Sequence, residues 1–199
     1  MIQYPEFVNK IECCPSDKEY RYSLDIECEN SDNMNKIAMI IMQNPSKAKI
    51  DESDRTVNNV LNYLYGFGYG RIIITNVVPF YGTDIADIMK KNYKNKRIID
   101  KNNEIIKSKG DMADKIFAAW GWIYPKQKLS KESLKILEDY YNERIDKIKE
   151  GFCNRKKLYC FCINSEGRNV NKKYKQPRHG LRWRKGKKES EFKIFEFSE

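Results

Sequence analysis

The residues of this chain best suited to chemistry are three asparagines and its single histidine: Asn44, Asn76, Asn164 and His179. Each asparagine stands at or near the end of a short apolar run. An asparagine side chain presents a donor and an acceptor in one plane, which suits the edge of an amide or a nucleobase. It can also hold a water in place. Histidine serves as an acid, a base or a charged donor to a developing anion. Ser46 follows Asn44 across Pro45, and Phe80 and Trp120 stand at or just after two other run ends, where a ring can stack on a base. Each has a plainer alternative. A strand-terminal asparagine is often a turn former, and an aromatic there is often core. Asp51, Asp54 and Thr56 lie before a predicted helix, whose N-terminus favours a phosphate unless Asp54 caps it.

The elements that must position these residues follow from periodicity. The run Ile37–Met42 is continuous and rich in β-branched residues and Met, the pattern of a strand buried on both faces of a parallel sheet. Pro45 ends it, because proline cannot donate to a ladder and biases Asn44 to extended geometry. Upstream, Tyr20, Tyr22, Leu24, Ile26 and Cys28 alternate with polar residues, predicting a half-exposed edge strand that pairs as a hairpin with Ile37–Met42. Val57, Val60, Leu61 and Leu64 mark one face of a helix that starts near Thr56 and ends at Gly66, Gly68 and Gly70. The second core strand is Arg71–Val78, completing a right-handed βαβ unit. A short helix over Asp84–Lys91 and a polar one over Arg97–Lys109 lead to a third strand, Lys115–Trp120. A helix capped by Ser130 runs to Lys149 and stops at Gly151; a fourth strand is Leu158–Ile163, and Phe192–Phe197 is an added edge strand. This alternation predicts one α/β domain over residues 1–199: a three-layer αβα sandwich with a mainly parallel central sheet. In such sheets ligands bind beyond the carboxyl ends of the strands. Those ends carry Asn44, Asn76 and Asn164.

Charge is unevenly spread. The chain has a net charge of +10, yet Met1–Asn35 holds eight acidic and three basic residues, whereas Gly151–Lys188 holds thirteen Lys or Arg and one acid, Glu166. That is the footprint of a surface facing nucleic acid or a nucleotide phosphate, unless it is only a solvated lysine-rich face. The basic loop at 167–188 contains Arg178, Arg182, Arg184 and Lys185, the expected phosphate contacts. With 40% hydrophobic residues the chain is globular. No apolar run nears the ~20 residues of a membrane span, and no signal peptide is visible, so no membrane partner and a cytoplasmic location are expected. The six cysteines include no Cys-x-x-Cys pair and are expected to be reduced, with neither a metal site nor a cofactor.

Several segments resemble a family of bacteria and phages called domain of unknown function 1643. They are Asn44-Pro45-Ser46 with Ala48, Asp54 and Thr56; Gly68-Tyr69-Gly70 before Asn76; Ala118-Ala119-Trp120-Gly121; and Pro177-Arg178-His179-Gly180-Leu181. They run from Met39 to about Leu181. The layout more distantly resembles the uracil-DNA glycosylase superfamily. That likeness implies that Asn44 orients a hydrolytic water, Asn76 reads the base edge, His179 stabilises the departing base and Leu181 enters DNA as a wedge. Gln43, Ser46 and His179-Gly180-Leu181-Arg182 depart from the superfamily's motifs.

Three functions therefore compete. One is a metal-independent N-glycosidic hydrolase acting on DNA or a nucleotide, which must take its base out of the stack. Another is a non-catalytic binder of a nucleotide or base, for sensing or sequestration. The last is a nucleic-acid- or partner-binding module with a vestigial pocket, whose affinity falls steeply with salt.

Overall fold

The run Ile37–Met42 is the middle of the molecule. It forms β3 (Lys36–Met42), in which Ala38 to Met42 are all buried. Each fully buried Ile of such a strand contributes about 1.5–3 kcal/mol of transfer free energy. A parallel partner lies on either side: β4 (Tyr69–Asn76), reached through α1 (Arg55–Gly66), and β5 (Lys115–Ala118), reached through α2 (Lys96–Met112). The computed structural model describes residues 2–15, 17–29, 35–123, 125, 126, 128–152, 155–162, 170, 171, 176, 177, 179–182 and 193–196.

The remaining elements are β1 (Val8–Cys14), β2 (Ser23–Cys28), α3 (Lys131–Phe152), β6 (Leu158–Cys162), β7 (Val170–Asn171), β8 (Gln176–Pro177) and β9 (Lys193–Glu196). Seven strands make one sheet in the order β1-β2-β4-β3-β5-β6-β9, and β7 pairs with β8 apart from it. The four central strands are parallel; β1, β2 and β9 are antiparallel to their neighbours. The sheet is therefore mixed, and the expected parallel order holds only in its middle. α1 packs on one face with Ile40, Ile72 and Ile74, and α2 and α3 pack on the other with Met39, Ile41 and Ile73. The late apolar segment is the antiparallel edge strand β9 on β6, as its pattern predicts.

The predicted hairpin between the alternating strand and β3 does not form. β2 pairs antiparallel with β4, Ser23 opposite Thr75 and Glu27 opposite Arg71. The reason is that α1 returns the chain alongside β3 on that side, so only the outer edge of β4 is open to β2. β2 is not an edge either, because β1 covers it. Its alternation separates two kinds of buried surface. Leu24, Ile26 and Cys28 join the α1 core. Asp25 is buried on the opposite face, between Arg71 of β4 at 2.9 Å and Lys109 of α2 at 2.6 Å. Replacing Asp25 with Ala leaves two cations without a counter-charge. Breaking a buried pair costs about 3–5 kcal/mol, and here about 2–3 is expected because both cations keep partial contact with water. Urea unfolding of Asp25→Ala measures it.

Two local expectations change in detail. The short helix over Asp84–Lys91 is a 3-10 helix, Ile85–Lys90, closed at its start by a capping box between Asp84 and Asp87. Gly151 does not stop α3, which continues to Phe152. The Phe152 ring fills the space above Gly110 of α2, where a Cβ would lie 2.4 Å from it. Tertiary packing of that ring outweighs the helix propensity of a single glycine. No helix among the described residues is long and apolar enough to cross a membrane.

Candidate functional site

The carboxyl ends of β3, β4 and β5 meet where the chain changes direction. From β3 it turns onto the α1 face; from β5 it turns towards α3 on the other. Ligands of open α/β sheets bind at switch points of this kind. Past Asn76 the β3–β4 pairing continues as Val77 N–H to Met42 O at 2.8 Å and Val78 N–H to Gln43 O at 3.1 Å. This fixes the rim residues of both strands against each other.

Asn44 is half-buried on that rim. Its Nδ2 donates to Gly82 O at 2.8 Å and to Pro45 O at 3.1 Å. Both amide hydrogens are thereby committed, and Oδ1 is left as an acceptor. Ser46, on the far side of Pro45, donates its hydroxyl to Asp54 Oδ2. The other Asp54 oxygen accepts the N–H groups of Thr56 at 2.8 Å and Val57 at 2.9 Å, capping α1. The chain's own carboxylate thus occupies the helix N-terminus, in place of the phosphate considered for it.

Asn76 is wholly buried, at 0% exposure, and neither Oδ1 nor Nδ2 has a hydrogen-bond partner. It is paired with Met42 in the parallel ladder and follows the alternation of Ile72 and Ile74, which places it on the α1 face. Its main-chain carbonyl accepts Asn102 Nδ2 from α2 at 3.1 Å. The backbone is anchored while the side-chain amide is unspent.

The His179 turn closes the same corner. Gly180 N–H donates to Ala119 O at 3.2 Å, at the end of β5. A Cβ on Gly180 would lie 3.1 Å from Val60, 3.3 Å from Met42 Sδ and 3.4 Å from Thr56, so the turn rests on the start of α1 and on the residue paired with Asn76. Gly121 holds φ +68°, and a Cβ there would be 2.8 Å from His179 Cβ. His179 Nδ1 accepts the Leu181 N–H at 3.1 Å. In the neutral ring that bond assigns the proton to Nε2, which becomes a donor. Leu181 is 40% exposed, and its carbonyl accepts Asn59 Nδ2 at 3.3 Å.

The other expected site residues are distributed differently. Phe80 and Trp120 belong to the core on the α2–α3 face, so their rings are covered by protein. They lie across the sheet from Asn76. Arg182 ends the turn Gly180–Arg182. Asn164, Arg178, Arg184 and Lys185 lie outside the described residues. Two neighbours of the site were not singled out from sequence. Gln43 is the last buried residue of the β3 run; its Nε2 donates to Trp122 O at 3.4 Å, bridging the ends of β3 and β5. Burial raises the pKa of the Tyr141 hydroxyl well above the usual tyrosine range, against the opposing effect of Gln43. A polar residue closing an apolar run was the available signal. Arg21 is buried, donates to Ala48 O at 2.5 Å and lies 5.8 Å from the Tyr81 ring centre, holding the segment after Ser46 in place. Burial pushes the Tyr81 hydroxyl up to about 12, so it is a neutral partner for that guanidinium.

The family model described as protein of unknown function (DUF1643) matches residues 21–181. The chain belongs to that family. No curated protein and no solved structure matches it. The DUF1643 match begins at Arg21 and ends at Leu181, so every rim residue described above lies within it. The outer strands β1 and β9 lie outside the DUF1643 segment.

Proposed function

We propose that this protein recognises a nucleobase and hydrolyses its N-glycosidic bond, without a metal, in DNA or in a nucleotide. The observation that carries the reading is the Asn76 amide. Burying an amide with no partner costs about 1–3 kcal/mol by mutational data, and a ligand edge bearing one donor and one acceptor would satisfy it. Asn44 Oδ1 accepts a hydrogen from the attacking water, His179 Nε2 donates to the departing base, and Leu181 is the exposed apolar wedge. These are the roles a uracil-DNA glycosylase-like layout assigns. The basic residues Arg178, Arg182, Arg184 and Lys185 supply phosphate contacts to the nucleic acid or nucleotide.

The test is incubation with oligonucleotides and nucleotides bearing normal and altered bases, followed by chromatography for free base. Release is expected, and the combined substitution Asn44→Ala and His179→Ala should reduce it by at least ~10²-fold, the scale of losing one preorganised donor. Release that survives the double substitution removes both role assignments. One observation favours a second reading, a non-catalytic binder used for sensing or sequestration. Asn44 is an amide and cannot take a proton from water. Recovery of unaltered ligand from a stable complex supports that reading.

A further inference from the structure

We propose that Asp54 is the terminal proton acceptor of this site and works through Ser46. The proposal rests on the hydrolase reading above. Hydrolysis of an N-glycosidic bond leaves one proton to be taken from water. Asn44 can orient the water but has no basicity. The Ser46 hydroxyl lies two residues away across Pro45, half-buried, with its hydrogen already given to Asp54. Its lone pairs therefore remain as acceptors. Asp54 cannot swing away, because its other oxygen is tied to two backbone N–H groups of α1. A second observation points to a ligand on this side of the sheet: the unpartnered Asn76 amide on the α1 face, beside Met42, which touches the His179 turn.

The step balances within the site. The water oxygen bonds to the sugar C1′ as the C1′–N bond breaks, and that electron pair leaves with the base. The water's proton passes to Ser46 Oγ while the Ser46 proton passes to Asp54 Oδ2. The base departs as an anion facing His179 Nε2–H and is later protonated from solvent. Asp54 then returns its proton to solvent. No oxidant, reductant or further reactant is needed.

The experiment compares the full chain with Ser46→Ala, Asp54→Asn and, as a control, the exposed Asp51→Asn. Asparagine caps a helix as well as aspartate does, so Asp54→Asn keeps α1 while removing the basicity. Two readouts are used. The first is the rate of base release at neutral pH from oligonucleotides containing uracil, hypoxanthine or an N-methylated purine. The second is affinity for an oligonucleotide with a cationic pyrrolidine abasic analogue against its neutral tetrahydrofuran counterpart. Wild type and Asp51→Asn should release base at the same rate. Ser46→Ala and Asp54→Asn should lose ~10²–10⁴-fold, the usual share of general-base assistance. Wild type should bind the cationic probe at least tenfold more tightly than the neutral one, and Asp54→Asn should abolish that preference. The preference alone, abolished by Asp54→Asn, supports the proposal even where none of these bases is released. Rates and preference unchanged in both variants overturn the relay and leave the hydrolase reading standing. Absence of both release and preference in wild type overturns the two together.

Discussion

Asn76→Val is expected to raise the melting temperature while removing ligand recognition. The two effects run in opposite directions because one amide causes both. In the free protein its donor and acceptor are buried with no partner. Removing an unsatisfied amide from the interior returns about 1–3 kcal/mol, and a β-branched residue suits the end of β4. For a chain of this size each kcal/mol corresponds to roughly 2–4 °C. Calorimetry of the free protein reads the gain, and titration with the base-bearing oligonucleotides reads the loss. The main-chain carbonyl that accepts Asn102 Nδ2 is untouched, so α2 stays in register. A variant that melts lower than wild type would show that the amide serves the fold, and the carrying observation for base recognition would be lost.

Gly121→Ala is expected to destabilise the fold and dislodge the His179 turn. Alanine at φ +68° has to adopt the left-handed region, which costs about 1–2 kcal/mol. Its Cβ would also stand 2.8 Å from His179 Cβ and 3.2 Å from the His179 backbone, a contact that no rotamer relieves. Overpacking of this kind adds about 1–3 kcal/mol. If the turn yields, part of that second contribution vanishes and base release falls instead, because Gly180 then leaves Ala119 and Met42. Urea unfolding together with hydrogen exchange at the Gly180 amide separates the two routes. Unchanged exchange and unchanged stability would mean that the turn does not depend on Gly121.

What sequence conveyed here was local. β3 was legible because a run buried on both faces leaves no polar positions to misread, and α1 because its four apolar residues and its Asp54 cap agree. The partner of β2 was not legible. Its alternation is real, but the inward polar position is filled by Asp25, whose counter-charges come from β4 and α2, far along the chain. Alternation with a buried ion pair looks the same in sequence as alternation with water. β1 is not legible because its charged residues point to solvent, as an edge strand requires. At the candidate site, Asn44 and Asn76 are legible from their strand-end positions, and His179 as the single histidine of the basic loop. The division between faces was not, since the chain bends after Asn76 and sends Phe80 into the opposite core. Gln43 stands out in sequence only as an unusual neighbour of Asn44, although a polar side chain closing a buried run requires some partner.

The antiparallel return of β9 onto β6 bears on how such a protein diversifies. The chain leaves the sheet at Cys162 and rejoins it at Lys193 on the adjacent strand. The intervening sequence, which includes His179 and ten of the thirteen Lys and Arg residues of Gly151–Lys188, is joined at both ends to one pair of neighbouring strands. Lengthening a flexible loop changes closure entropy slowly, about 0.6 kcal/mol for each doubling. Length and charge can therefore change on either side of the His179 turn, which is itself held at Ala119 by the Gly180 N–H, at little cost to the strands that end in Asn76 and lead into Asn44. The strands and the connecting segment are thus free to evolve at different speeds.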